Sequence, residues 1–316
     1  MEAARLIKNL KNYTVETHLP LFNTWPVNRR SAVLVLLFIG SNGELRVFLT
    51  KRARNLRSFS GHVSLPGGKA DSPSETSEMV ARRESEEEIG LPSDGNILLQ
   101  DYGMKIENIT HNIPHFLSRT FLSVKPIVSF LYNSKTPSER RYVDPLNGSK
   151  FFGKLNAGET TSLFSVPLCD LIAHQNQWND YNPEYVNRKE YISKWGGLSW
   201  LIQHFYYPNE NVKDAHWLNE IIDTSSGDED FEGVLCKNVW GLTAKILQEV
   251  CRVANDTART TIGHEELIYT LHKFGGQLQS RKRTHWESDM ILNKRKVYYS
   301  DVIPKQHFKK LSKLEF

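Results

Sequence analysis

Glu84, Glu87 and Glu88 stand at i, i+3 and i+4 in the run Arg83-Glu84-Ser85-Glu86-Glu87-Glu88-Ile89-Gly90-Leu91. On a helix these positions share one face and are close neighbours. Three carboxylates so placed repel one another unless something positive sits among them. Hard Mg²⁺ or Mn²⁺ suits that position, because such ions prefer oxygen ligands and often take carboxylates together with substrate phosphates. The chemistry implied is metal-assisted work on a phosphate. Arg83 precedes the cluster, and its guanidinium fork matches carboxylates bidentately, so it is expected to hold them in place. An acidic helix end is more often a solvated face. The offsets of a glycine turn, the arginine and a terminal glycine tip the reading toward a site.

The elements that must position these groups can be read outward from them. Ser72 as N-cap, Pro73 at N1 and Glu75 at N3 form a capping-box pattern. Gly90 supplies a left-handed C′ residue and Pro92 stops further helix. The spacing predicts a helix from about Pro73 to Ile89, with Ala81, Ser85 and Ile89 as a narrow stripe against a sheet. Ahead of it, Gly67 and Gly68 in Leu65-Pro66-Gly67-Gly68-Lys69 let backbone groups approach a metal or phosphate closely. Upstream again, Lys51, Arg52, Arg54 and Arg57 put four cations close together, a loop that could clamp an additional phosphate.

The acidic segment resembles the Nudix box, G-x5-E-x7-R-E-U-x-E-E-x-G-U, through Glu75, Arg83-Glu84, Glu87-Glu88, Gly90 and Leu91. Six residues separate Gly68 from Glu75 where the pattern has five, so Lys69 stands in the usual glycine slot, and Ser85 replaces an aliphatic residue. The stretch Leu49 to Gly68 resembles the extended motif of the coenzyme A diphosphatase branch of that family, in Leu49, Thr50, Arg52, Ala53, Arg57, Gly61, Val63, Pro66, Gly67 and Gly68. Leu65 stands where phenylalanine is usual. Val239-Trp240-Gly241-Leu242-Thr243-Ala244-Lys245-Ile246-Leu247 resembles a helix of the same branch, and Phe164 to Leu168 the strand and turn before it. Within that branch the chain resembles fungal peroxisomal members.

The resemblance implies an α/β class fold, a Nudix α/β/α sandwich around a mixed sheet. It also implies hydrolysis of the diphosphate of coenzyme A and its derivatives, with Mg²⁺ or Mn²⁺. Glu84 and Glu88 are the expected principal ligands, Glu87 a ligand or general base, and Glu75 a support paired with Arg83. Lys51, Arg52, Arg57, Gly67 and Gly68 are the expected substrate contacts. Glu159 could be an extra glutamate from a distant loop, with a surface role preferred. Two other readings stand beside this one. One is a Nudix hydrolase of other nucleoside diphosphate derivatives or oxidised nucleotides. The other is a catalytically silent module that binds a nucleotide or RNA.

The remaining chain sets limits. It has 316 residues, a net charge of +4 and three cysteines, Cys169, Cys236 and Cys251, without CxxC spacing. Reduced thiols inside a cell are expected. No stretch approaches the length of a transmembrane helix, no apolar signal core opens the chain, and no nucleic-acid partner is expected. Residues 32–39 and 45–50 read as a hairpin across Gly40–Gly43, and 121–131 as a strand in which Pro126 argues for an edge or bulge. A helix is expected near 239–253. The organisation expected is an N-terminal segment 1–30, a hydrolase domain 31–275 with polar insertions near 133–158 and 172–235, and a basic extension 276–316, read as solvated or packing back. Lys11-Asn12 with His18-Leu19, and Ser312-Lys313-Leu314 followed by Glu315-Phe316, approximate peroxisomal signals. Oligomeric state is not legible.

Overall fold

The computed structural model describes residues 2–15, 25–56, 59–148, 154–156, 158–172, 182–211, 214, 218, 229–257, 264–279, 282–314 and 316. Arg57, Ser58, His18-Leu19, Arg281 and Glu315, which carried sequence expectations, lie outside the described residues.

An eight-stranded mixed sheet forms the centre. The apolar run becomes β1 (Arg30–Ile39) and pairs antiparallel with β2 (Leu45–Arg52) across the Gly40–Gly43 turn. Short β3 (Val63–Ser64) pairs β2, and β4 (Gly67–Lys69) pairs β1. β5 (Met104–Thr110) and β6 (Phe116–Leu117) both lie on β7 (Ser123–Asn133), which runs parallel to β1. β8 (Thr160–Pro167) completes the sheet on β2. Pro126 is therefore on an interior strand, not an edge. It is tolerated because the β6 pairing reaches only Val124 and the β5 pairing starts at Val128, so the proline falls in the gap between two short partners.

Strand alternation builds the layers. Leu34, Leu36 and Phe38 face one core with Val80, Ala81 and Ile89; Val35, Leu37 and Ile39 face the other with Leu6, Ile7, Leu10, Leu247 and Val250. The first core is covered by α2 (Ser77–Ile89) and α3 (Gly95–Tyr102), the second by α1 (Glu2–Asn12) and α4 (Gly241–Ala254). The α/β/α sandwich expected from the sequence is the fold.

The segment 172–235 is more than a polar insertion. Together with residues up to Trp240 it supplies a second antiparallel sheet of β9 (Asn187–Trp195), β10 (Leu198–Pro208), β11 (Glu229–Phe231) and β12 (Val234–Trp240). Nor is the basic tail solvated throughout. α5 (Glu265–Lys273), α6 (His285–Ile291) and α7 (Lys305–Leu311) enclose a third core in which Leu271, Met290, Tyr299 and Phe316 pack with Trp25, Phe121 and Leu198. Its described cations are exposed, on or just after α7 and on the turns beside α6, while the apolar residues of these helices face inward. Phe316 also bonds β10 through its backbone, to Ser199 and Leu201.

Candidate active site

α2 starts later than the capping signature suggests. Thr76 is the N-cap, its hydroxyl oxygen accepting from Met79 N–H at 3.2 Å. The Ser72–Glu75 reciprocity exists in part: Glu75 Oε2 accepts from the N–H of Asp71 at 2.6 Å and of Ser72 at 3.3 Å. These bonds close a turn ahead of the helix instead of its first turn. Gly90 ends α2 in the left-handed region at φ 71°. Ser85, where the family pattern has an aliphatic residue, is fully buried and satisfies its hydroxyl by donating to Ala81 O at 2.7 Å.

Arg83 is the hub. Its Nε donates to Glu75 Oε1 at 2.9 Å, Nη1 to Glu84 Oε1 at 3.1 Å and to Glu87 Oε2 at 3.3 Å, and Nη2 to Lys69 O at 2.9 Å. One guanidinium thus ties the glycine turn, the pre-helix turn and two glutamates of α2. Burial pushes the Glu75 carboxyl up, but Arg83 and the two backbone donors outweigh it and the net shift is down. Glu84 goes the other way, because burial outweighs Arg83.

The glycines are needed for space. A Cβ on Gly67 would lie 2.3 Å from Ala32 O, and one on Gly68 2.2 Å from the Glu84 carboxyl carbon. The register Ala32↔Gly68 brings Ser31 alongside, and its hydroxyl donates to Gly68 O at 2.6 Å. Nothing in the sequence marked Ser31. Glu88 is 5% exposed; its Oε2 accepts from Gly67 N–H at 3.3 Å and its Oε1 is 3.8 Å from Arg52. Burial raises its pKa to about 8, against the pull of Arg52 and the Gly67 N–H and with added repulsion from Glu84 and Glu159. Glu159, for which a surface role was preferred, is therefore an electrostatic neighbour of the cluster.

Among the described residues no three His, Cys, Asp or Glu side chains converge to hold a metal ion. The three-glutamate convergence expected on α2 is not pre-formed. Glu84 and Glu87 lean to Arg83, while Glu88 turns to Gly67 and Arg52, because the arginines are the cations within reach. The donor set nevertheless fits a hard divalent ion: carboxylate oxygens, backbone carbonyls of a glycine turn with no Cβ in the way, and a buried carboxylate whose cationic neighbour stands off at 3.8 Å.

The basic loop is divided by the sheet. Lys51 and Arg52 are consecutive on β2 and face different spaces. Arg52 lines a large cavity of about 350 Å³ with Gly67, and Lys51 a smaller one of about 200 Å³ with Lys237 and His204. Arg54 packs beside Gly61. The structure brings Arg52 to Glu88 and leaves Lys51 in a separate cavity, so these two neighbouring cations do not form one clamp.

Residues 28–126 match the NUDIX domain model. A protein of Saccharomyces cerevisiae named peroxisomal coenzyme A diphosphatase 1 is 50% identical over 98% of this chain and 96% of its own length. Nudix hydrolase 15, mitochondrial, of Arabidopsis thaliana is 32% identical over 69% of this chain, which spans 56% of that relative. Among solved structures, a MutT protein of Methanosarcina mazei Go1 aligns with TM-score 0.29 and 22% identity over 45% of this chain and 79% of its own.

Proposed function

This chain belongs to the Nudix hydrolase family, and we propose that within it the protein is a coenzyme A diphosphatase. It hydrolyses the diphosphate of coenzyme A and its derivatives, the oxidised form included, to adenosine 3′,5′-bisphosphate and 4′-phosphopantetheine or its derivative. The observation that carries this is the reach of the likeness: 50% identity to the yeast enzyme over 98% of the chain includes the second sheet and the C-terminal helices as well as the carboxylate helix. The same relative supports a peroxisomal location. Among the described residues no helix is long and apolar enough to cross a membrane. Residues 31–275 form the hydrolase unit of this reading, with 276–316 as its C-terminal extension.

Nudix hydrolases use divalent metal ions, and Mg²⁺ or Mn²⁺ suits this all-oxygen donor set. A bound ion supplies charge neutralisation on the diphosphate and a more acidic water. Glu84 and Glu88 are the residues to hold it. Glu87, half-exposed, is the residue assigned in this reading to accept the proton of the attacking water or to complete the ligand set. Arg83 fixes Glu84 and the glycine turn relative to each other. Arg52 stands between Glu88 and the large cavity, where it can meet a diphosphate oxygen bidentately.

The test is product analysis with coenzyme A, dephospho-coenzyme A and ADP-ribose, with and without added Mg²⁺ or Mn²⁺. Metal-dependent release of adenosine 3′,5′-bisphosphate is expected. Turnover of ADP-ribose with coenzyme A left intact would overturn the substrate assignment.

A further inference from the structure

The large cavity shares Gly67 and Arg52 with the carboxylate site, both of which contact Glu88. It is therefore continuous with the place where a diphosphate would sit. Away from that end its lining is apolar and aromatic, with Trp195, Trp200, Ile202, Trp240, Leu242 and Phe316. Its volume, about 350 Å³, is in the range of small-molecule pockets.

His264 lines the same cavity. The residue is 3% exposed, and its Nδ1 accepts from Leu117 N–H at 3.0 Å. The proton of the neutral ring is then on Nε2. That buried donor has no hydrogen-bond partner among the described residues. Trp200 and Phe116 meet the ring edge to face at 5.2 and 5.3 Å and fix its orientation. A buried donor without an acceptor requires an explanation, and a ligand carbonyl is one.

The small cavity is of opposite character. Lys51, Lys237, His62 and His204 line it, and it shares the wall of His62, Val63 and Trp240 with the large one. Coenzyme A has the same division. The adenosine half carries an additional phosphate; the other half is an uncharged chain of amides that ends in sulfur.

Resting on the reading above, we propose that the large cavity receives the uncharged amide arm and the apolar group its sulfur carries. His264 Nε2–H donates to a carbonyl oxygen of that arm and so sets specificity for it. The adenosine half lies toward Lys51. The insertion and the tail thereby acquire a role, since Trp195 and Trp200 come from one and Phe316 from the other.

Tryptophan fluorescence reads this directly, because three tryptophans line the cavity. With the full chain kept metal-free by chelator so that nothing turns over, octanoyl-coenzyme A is expected to bind at least tenfold more tightly than coenzyme A. Each buried methylene contributes about fourfold until the cavity is full. Ser193→Trp, which fills the cavity from a half-buried position on β9, removes that advantage and leaves adenosine 3′,5′-bisphosphate binding unchanged. His264→Phe keeps a ring and weakens both coenzyme A ligands about tenfold, with the bisphosphate again unaffected. If His264→Phe does not fold, Ser193→Trp decides alone. Equal binding of octanoyl-coenzyme A and coenzyme A to the wild-type protein, or a Ser193→Trp effect on the bisphosphate instead of the acyl ligand, overturns the assignment. Failure of the functional reading shows separately, as absent coenzyme A hydrolysis when metal is restored.

Discussion

Arg29 and Glu287 form an ion pair of 2.8 Å between Nη2 and Oε2 with both side chains out of water, 258 residues apart in the chain. The same carboxylate accepts from Leu278 N–H and Thr284 N–H, so it organises the turn before α6 while anchoring it to the start of β1. Removing one partner of such a pair strands a buried charge. We expect Glu287→Ala to destabilise the protein by about 3–5 kcal/mol, read as a lowered urea midpoint. A midpoint equal to wild type would show that the tail is not an integral part of the fold.

Gly67 and Gly68 are neighbours in sequence with opposite expected phenotypes. The Cβ of Gly67→Ala collides with backbone, Ala32 O at 2.3 Å and Val33 Cα at 2.6 Å, so β4 must leave β1 and stability falls. The Cβ of Gly68→Ala meets the Glu84 carboxylate, the mobile end of a side chain. It should displace Glu84 with little loss of stability, and activity should drop at least tenfold. Thermal melting beside an activity assay separates the two. Equal melting temperatures for both variants would contradict this account.

Glu84→Gln keeps the shape of the side chain and its bond from Arg83 while removing one formal charge from the site. Turnover should fall at least a hundredfold with the urea midpoint within error of wild type. Calorimetric titration with Mn²⁺ should show weaker binding. Unchanged activity would remove Glu84 from the ligand set.

Features fixed by near neighbours were legible in the sequence. The hairpin of β1 and β2, the Gly90 stop and the arginine among glutamates all depend on contacts within about one turn or one strand pair. The start of α2 was displaced because the Glu75 carboxylate does accept from Ser72 N–H as the spacing announces, but around a turn, while the Ser72 hydroxyl pairs with Ser74; only the packing against β1 and β4 settles where helix begins. The roles of Ser31 and His264 were invisible. Ser31 acquires one through a strand register, and the partners of His264 come from residues 116, 117, 200 and 316, with no local pattern linking them. The frequent charges of the tail favoured a solvated reading over packing back, whereas its apolar residues find partners as far away as Trp25 and Phe121.

Two buried histidines make stability depend on pH. His115 and His264 each have a pKa lowered from 6.5 to about 3, first by burial and then by a neighbouring lysine, Lys125 for one and Lys245 for the other. His115 also shares a hydrogen bond with Ser123 Oγ, and Glu265 Oε1 accepts from its backbone N–H. Because the folded pKa values lie below the unfolded ones, the unfolded chain takes up these protons first. Their contribution is complete above pH 6.5 and is lost as pH falls toward 3, at about 1.4 kcal/mol per pH unit for each ring once the unfolded histidines are protonated. Urea denaturation of wild type and His264→Phe between pH 5.5 and 4 measures it. The variant should lose stability less steeply than wild type by about 1.4 kcal/mol per pH unit. Parallel curves would mean that the ring is already charged in the folded protein.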